Sequence, residues 1–298
     1  MDKIVDKIKS GKILVSDGAW GTFLYKKGLK STECPEAWNI ERFDDVFDIA
    51  KSYIDAGADM VETNSFGGSS IKLALYGLDG RAFEINEAAA RASRKAAGEY
   101  RHVIASVGPT GKMLIMGDVT PQELYESFSG QCRALCSGGA DAVCIETMMD
   151  KDEAAIAVKA AKDSTPLEVI CTFTFSKNAK GGYRTMMGVS PAEAAAAVLE
   201  AGADIIGANC GNGIEDMTGI VEELRAAFPD KPILVQANAG LPSNIDGVDV
   251  YPETPETMAT FASRLVNCGA NIIGGCCGTT PEHIRAIKAK ITRISKAV

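Results

Sequence analysis

Cys276 and Cys277 stand side by side in Gly274-Gly275-Cys276-Cys277-Gly278-Thr279-Thr280, and Cys210 stands in Asn209-Cys210-Gly211-Asn212-Gly213. A disulfide between neighbours is disfavoured because their Cα atoms are too close for relaxed geometry. The ordinary alternative is a pair of buried thiols, since free cysteine packs as a small apolar residue. Glycines on both sides point instead to close backbone approach. Three thiolates brought together would suit a soft or borderline cation, zinc above all. Three protein ligands leave one tetrahedral position open, the arrangement of a catalytic site, and a substrate thiol could enter it. Coordination strips the proton from a thiol, which makes sulfur a nucleophile at neutral pH.

Other residues suit the remainder of such a substrate. Asp17-Gly18-Ala19 and the following Gly21-Thr22 read as a turn, where Asp-Gly is common. The same turn could present the Asp17 carboxylate, and its amides could bind an anion such as a substrate carboxylate. Glu146, in Cys144-Ile145-Glu146-Thr147, ends an apolar run, which is costly unless the carboxylate is solvated or paired. Together with Asp17 it could bind an ammonium group. Asn238, in Gln236-Ala237-Asn238-Ala239-Gly240, could offer an amide oxygen to the metal or a donor to the substrate. The two histidines, His102 and His283, read as a strand start and a first helical turn. Neither is expected to be catalytic, which fits an all-sulfur metal site.

Elements must bring these residues together. Short apolar stretches suited to strands covered on both faces lie at Ile13–Ala19, Met60–Phe66, His102–Gly108, Ala142–Met148, Glu168–Phe175, Asp204–Cys210, Pro232–Asn238 and Asn271–Cys277. Helical stretches lie between and after them: Asp44–Ala56, Arg81–Glu99, Pro121–Ser137, Asp152–Ala161, Pro191–Ala201, Ile214–Ala227, Pro255–Cys268 and Pro281–Ile294. Thr120-Pro121, Ser190-Pro191, Thr254-Pro255 and Thr280-Pro281 each place a capping hydroxyl before proline at a helix start. Strand and helix in alternation read as one (β/α)8 barrel, an α/β TIM barrel over residues 1–298. An open doubly wound sheet is the second choice.

A degenerate repeat sets the register. Gly57-Ala58-Asp59, Gly139-Ala140-Asp141, Gly202-Ala203-Asp204 and Gly269-Ala270-Asn271 each precede a strand. Glycine ends the helix and the polar residue turns the chain. Seven and eight residues on from each glycine stand Asn64-Ser65, Glu146-Thr147, Asn209-Cys210 and Cys276-Cys277. These pairs fall at strand C-terminal ends, which ring the active site of a barrel.

The 298 residues carry a net charge of −8, which argues mildly against nucleic-acid and anionic-membrane partners. The N-terminal stretch lacks the apolar core of a signal peptide, and no run is long enough to span a membrane. Nine cysteines in a chain of this size fit a reducing cytoplasm. Cys34, Cys132, Cys136, Cys144, Cys171 and Cys268 read as ordinary core or surface residues.

Gly274-Gly275-Cys276-Cys277-Gly278 together with Asn209-Cys210 resembles the zinc motif of the homocysteine S-methyltransferase family. The likeness extends through Asp17-Gly18-Ala19, Thr63-Asn64-Ser65-Phe66, Gly108-Pro109-Thr110-Gly111 and Asn238-Ala239-Gly240, nearly the whole chain. Cys276 to Ile284 looks most like the homocysteine-binding module of cobalamin-dependent methionine synthases. The resemblance implies zinc held by Cys210, Cys276 and Cys277. It implies an amino group held by Asp17 and Glu146, and a carboxylate held by amides near Gly18 and Ala19. It places Thr22 and Asn64 around the substrate, and Asn238 on the fourth zinc position when no substrate is bound. The implied reaction makes methionine from homocysteine, with methylcobalamin on a separate corrinoid protein as the expected donor. S-methylmethionine, S-adenosylmethionine or a betaine is the alternative donor, and a non-catalytic thiol-binding subunit is the alternative role. Two departures stand out: the folate, cobalamin and activation modules do not follow this one, and Ala237 replaces a familiar proline.

Overall fold

A computed structural model describes residues 2–179, 181–245 and 248–295. Eight parallel strands form one sheet: Leu14–Val15, Met60–Glu62, His102–Val107, Ala142–Met148, Glu168–Phe173, Ile205–Gly213, Ile233–Asn238 and Ile272–Gly275, the first to eighth in chain order. Their spatial order is first, eighth, seventh, sixth, fifth, fourth, third, second. Each strand is followed by a helix, and the long ones that cover the sheet begin with Phe43–Asp55 and end with Pro281–Ser295. The (β/α)8 reading therefore holds. Short antiparallel hairpins, Ser176–Lys177 with Tyr183–Arg184 and Ser243–Ile245 with Val248–Val250, decorate the loops after the fifth and seventh strands.

The expected first, second and eighth strands run to the cavity residues, whereas the observed ones stop earlier, at Val15, Glu62 and Gly275. Beyond those points the backbone turns away from the ladder to build the site, and side chains replace ladder bonds. The Gly-Ala-Asp/Asn repeat has a role beyond turning the chain. Asp59, Asp141, Asp204 and Asn271 each pair with one residue of the preceding strand: Val15, Val103, Val169 and Ile233 respectively. In every case the side-chain oxygen accepts that residue's N–H, while the polar residue's own N–H donates to its carbonyl. The barrel is thus stitched at the start of each even-numbered strand. At the seam between the first and second strands, Asp59 stands in for a ladder, and Lys288 and Arg101 pair with its carboxylate.

Inside the barrel the layers follow the two-residue period of strands. The lower layer is apolar, with Leu14, Met60, Ile104, Cys144, Ile170, Ile205, Leu234 and Ile272 in one buried cluster. The helix Ile4–Lys9 plugs its base with Ile4 and Ile8, and Glu168 accepts the N–H groups of Ile4 and Val5 at that helix's start. Two residues further along the strands come Ser16, Glu62, Ser106, Glu146, Thr172 and Gln236, all buried and all polar. This switch from hydrocarbon to hydrogen-bonding groups marks the floor of the site. Among the described residues, no helix is long and apolar enough to cross a membrane.

Candidate metal centre and substrate cavity

A cavity of about 300 Å³ opens above that polar floor, lined by residues from the ends of several strands. Of the eight residues placed there by the repeat register, Asn64, Ser65, Glu146, Thr147, Cys210, Cys276 and Cys277 line it. Asn209 sits just beneath, fully buried.

Local backbone irregularities aim these side chains. Between Ile145 and Met148 the fourth strand carries one more residue than its neighbour, and between Asn209 and Gly213 the sixth strand carries two more. Such bulges re-aim side chains beside active sites. Thr147 and Cys210, both eight residues beyond a repeat glycine, share a left-handed backbone with φ of 59°. That conformation costs on the order of 1–3 kcal/mol at a non-glycine residue, and the surrounding bonds must hold it. The Cys276-Cys277 loop is fixed at each step: Gly275 N–H donates to Asp17 O at 2.8 Å, Cys276 N–H to Ala237 O at 2.7 Å, and Ala239 N–H to Cys277 O at 3.0 Å. Glycine at 275 is a packing requirement, because a Cβ there would lie 2.3 Å from Thr279 Oγ1.

The three sulfurs lie within 4.8 Å of one another, and Cys210 Sγ is 3.9 Å from Cys277 Sγ. Tetrahedral zinc with bonds of about 2.3 Å separates its sulfur ligands by about 3.8 Å, so the donor set fits the ion in spacing and chemistry. Asn238 adds an oxygen. It ends the seventh strand, and its buried Oδ1 has no hydrogen-bond partner. The thiols of Cys276 and Cys277 donate to Cys210 and pull its pKa down to about 3. Their own values rise in turn, Cys277 to about 11 and Cys276 further. One thiolate and two thiols is the arrangement from which a metal would displace protons.

The carboxyl groups are placed differently from expectation. Glu146 lines the cavity, held by Ser106 Oγ and by Asn209 Nδ2 at 3.2 Å. Asp17 does not line it. It lies fully buried behind the wall, where it accepts from Glu62 N–H at 2.8 Å, Trp20 Nε1 at 2.9 Å and Ser16 Oγ at 3.1 Å. Glu62, which the sequence reading missed, lines the cavity in its stead and accepts from Gln236 Nε2 at 2.8 Å. The available signal was a glutamate inside the apolar run Met60-Val61-Glu62. Burial raises all three: Asp17 to about 6, Glu146 to about 7, and Glu62 well above the usual carboxylate range with Glu146 and Asp17 adding repulsion. Such a cluster favours a cationic guest.

Gly18, Ala19 and Thr22 line the opposite wall with Trp20 and Gly21. The Ala19 N–H already donates to Thr279 Oγ1 at 3.0 Å. In the helix Gly21–Lys26, Phe23 and Leu24 donate to Trp20 O, which leaves the first-turn amides of Gly21 and Thr22 without an intrahelical acceptor. Thr110 lies off the cavity, anchored by Glu153. His102 starts the third strand at the barrel base, and His283 is buried in the last helix's first turn. Cys132, Cys144 and Cys171 are buried away from the cavity.

Known proteins resemble this chain in sequence and in fold. Methionine synthase of Mycobacterium tuberculosis (strain ATCC 25618 / H37Rv) is 30% identical over 304 residues, covering 97% of this chain and 25% of the relative. That of Mycobacterium leprae (strain TN) is 30% identical over 301 residues, covering 95% and 24%. The chain thus spans about a quarter of the length of these curated relatives. Among solved structures, the metallated form of the homocysteine methyltransferase MmuM from Escherichia coli superposes with a TM-score of 0.78 at 22% identity, covering 96% of this chain and 98% of that one. A methyltransferase from Methanosarcina mazei superposes with a TM-score of 0.62 at 11% identity, covering 95% and 94%. At such identities the likeness is one of fold. The family model for homocysteine S-methyltransferase matches residues 14–291, from the first strand to the last helix, and the chain belongs to that family.

Proposed function

We propose that residues 1–298 form one homocysteine-binding barrel that makes methionine in the cytoplasm, with zinc on Cys210, Cys276 and Cys277 and a separate methylcorrinoid protein as methyl donor. The observation that carries this reading is the meeting of three sulfurs at zinc spacing with two carboxylates in one cavity. Zinc would supply one thing here, a substrate thiol held as thiolate at neutral pH.

The chain's own residues supply the rest. Glu146 and Glu62 receive the substrate ammonium, whose positive charge offsets the repulsion between them. Asp17 stands behind, holding Trp20 and the Glu62 backbone in place. Gly21 and Thr22 offer amides to the substrate carboxylate, next to Gly18 and Ala19. Asn64 closes the wall, with its Nδ2 committed to Pro35 O and Asn39 Oδ1. Fixing both ends of an amino acid aims its sulfur, and alignment of this kind can lower a barrier by several kcal/mol. The relatives named methionine synthase support the reaction.

Zinc content and methionine formation, measured together on wild type and Cys276→Ala, test the proposal. The assay supplies L-homocysteine with methylcobalamin, then with S-methylmethionine. The expected result is about one zinc per chain, lost in the variant along with turnover, and methylcobalamin as the productive donor. Full activity of metal-free protein, or zinc retained by Cys276→Ala, would overturn the metal centre. Turnover with S-methylmethionine alone would move the donor to the sulfonium class.

A further inference from the structure

Homocysteine carries its sulfur and its charged amino-acid end on one short chain. The groups that receive each end must therefore keep a fixed separation. Two segments do the receiving here. The turn after the first strand lines one wall of the cavity with Gly18 and Ala19, and the loop after the eighth strand brings Cys276 and Cys277.

The side chain of Thr279 bonds to both. It is buried, accepts the Ala19 N–H at 3.0 Å, and donates its hydroxyl to the Cys276 carbonyl at 2.7 Å. A hydroxyl has one proton to give and lone pairs to receive with, so these two bonds fix its direction. The Cys276 carbonyl belongs to the peptide that joins the two neighbouring cysteines, and it also accepts from Thr279 N–H at 3.1 Å. Ala19 is held from its other side as well, where the buried Tyr53, on the helix Phe43–Asp55, donates to Ala19 O at 2.7 Å. One glycine from each segment makes room for Thr279: a Cβ on Gly18 would lie 2.6 Å from its Oγ1, and one on Gly275 2.3 Å. A backbone bond from Gly275 N–H to Asp17 O, at 2.8 Å, runs beside this clasp.

We propose that Thr279 is a positioning residue, whose hydroxyl locks the substrate turn to the metal loop and so sets the distance between the two ends of the site. This rests on the metal and substrate reading above. Through Cys276 O the hydroxyl orients the peptide between two sulfur ligands, and groups behind the ligands govern how well a metal is held. Through Ala19 N–H it fixes the wall against which the amino-acid end lies. The Ala19 amide is committed to Thr279, so Ala19 serves the site by the shape of the turn. Small misplacements of such supporting groups are costly to alignment.

Two variants separate the hydroxyl from the bulk of the side chain. Thr279→Val keeps the shape and removes the hydroxyl, whereas Thr279→Ser keeps the hydroxyl and removes a methyl. Zinc affinity is read by competition with a chromophoric chelator, and L-methionine affinity by calorimetry on metal-free protein. In Thr279→Val zinc affinity is expected to fall about tenfold or more. Methionine affinity should fall about tenfold, because Ala19 N–H loses its acceptor. Thr279→Ser should restore both to within about threefold of wild type. The reverse order, with serine damaged and valine intact, is the mark of a packing role and would overturn the proposal. Loss of one affinity without the other in Thr279→Val would overturn the link between the two segments. If Thr279→Val does not fold, Thr279→Ser still decides, since damaged binding there overturns the role of the hydroxyl and retained binding supports it. A wild-type chain that takes up no zinc would overturn the metal centre itself, and this proposal with it.

Discussion

Asn209 holds Glu146 in place: its Nδ2 donates to Glu146 Oε2 at 3.2 Å, and the next residue in the chain is Cys210. The same side chain donates to Thr147 Oγ1 at 2.7 Å and accepts from Thr147 N–H at 2.7 Å and Thr172 Oγ1 at 2.8 Å. One amide therefore links the carboxylate proposed for the substrate ammonium to the first of the three clustered sulfurs. It also braces the left-handed backbone at Thr147.

Asn209→Leu should remove all four bonds while nearly preserving volume. Each buried group left unpaired costs about 1–3 kcal/mol, so unfolding free energy should drop by on the order of 3 kcal/mol. Denaturant titration checks this. Homocysteine KM should rise as well, because Glu146 loses a fixed orientation. A variant with wild-type stability would show that the network is dispensable.

Glu62→Gln separates stability from function. Burial and like-charge neighbours make an ionised Glu62 costly, so the isosteric amide should raise the melting temperature of the metal-free protein at pH 8. Loss of a charge-assisted contact should at the same time raise homocysteine KM about tenfold or more. Thermal unfolding and steady-state kinetics read the two effects independently. An unchanged KM would leave Glu146 as the working carboxylate on its own.

The raised carboxyl values give the cavity a pH dependence of known sign. Native Asp17 and Glu146 hold protons up to about pH 6 and pH 7, above the range where unfolded carboxylates release theirs. The native state thus binds more protons between those limits, and its stability advantage from these groups is lost as pH rises through them. Ligand binding runs the other way, since an ammonium prefers the ionised acids. Methionine, which has no thiol to confuse the proton count, should bind the metal-free protein more tightly from pH 5.5 to 8. Titration calorimetry in two buffers should show proton release near neutral pH. A flat affinity profile would remove the buried acids from substrate binding.

The floor of the site was partly legible in the chain. Gly57, Gly139, Gly202 and Gly269 fixed the register of four strands, and counting from them reached seven residues that line one cavity. Counting works because a barrel strand advances by a constant rise and alternates inward with outward at every step. Glu62 escaped the same count, since it stands five residues from its glycine, two before the pair that the count singled out.

Sequence alone determined the alternation of strand and helix, the caps that start the helices, and the identity of the three sulfurs. These depend on local periods and residue types. Tertiary structure decided which acid enters the cavity: Glu62 lies in the inward polar layer with Ser16 and lines the cavity, whereas Asp17, one residue beyond Ser16, is buried behind the wall and accepts from the Glu62 N–H. It also decided that Cys210 turns toward Cys277, since a bulge of two residues and a left-handed backbone are set by the neighbouring strand. Proximity between residues 67 positions apart is a property of barrel closure, which no local pattern encodes.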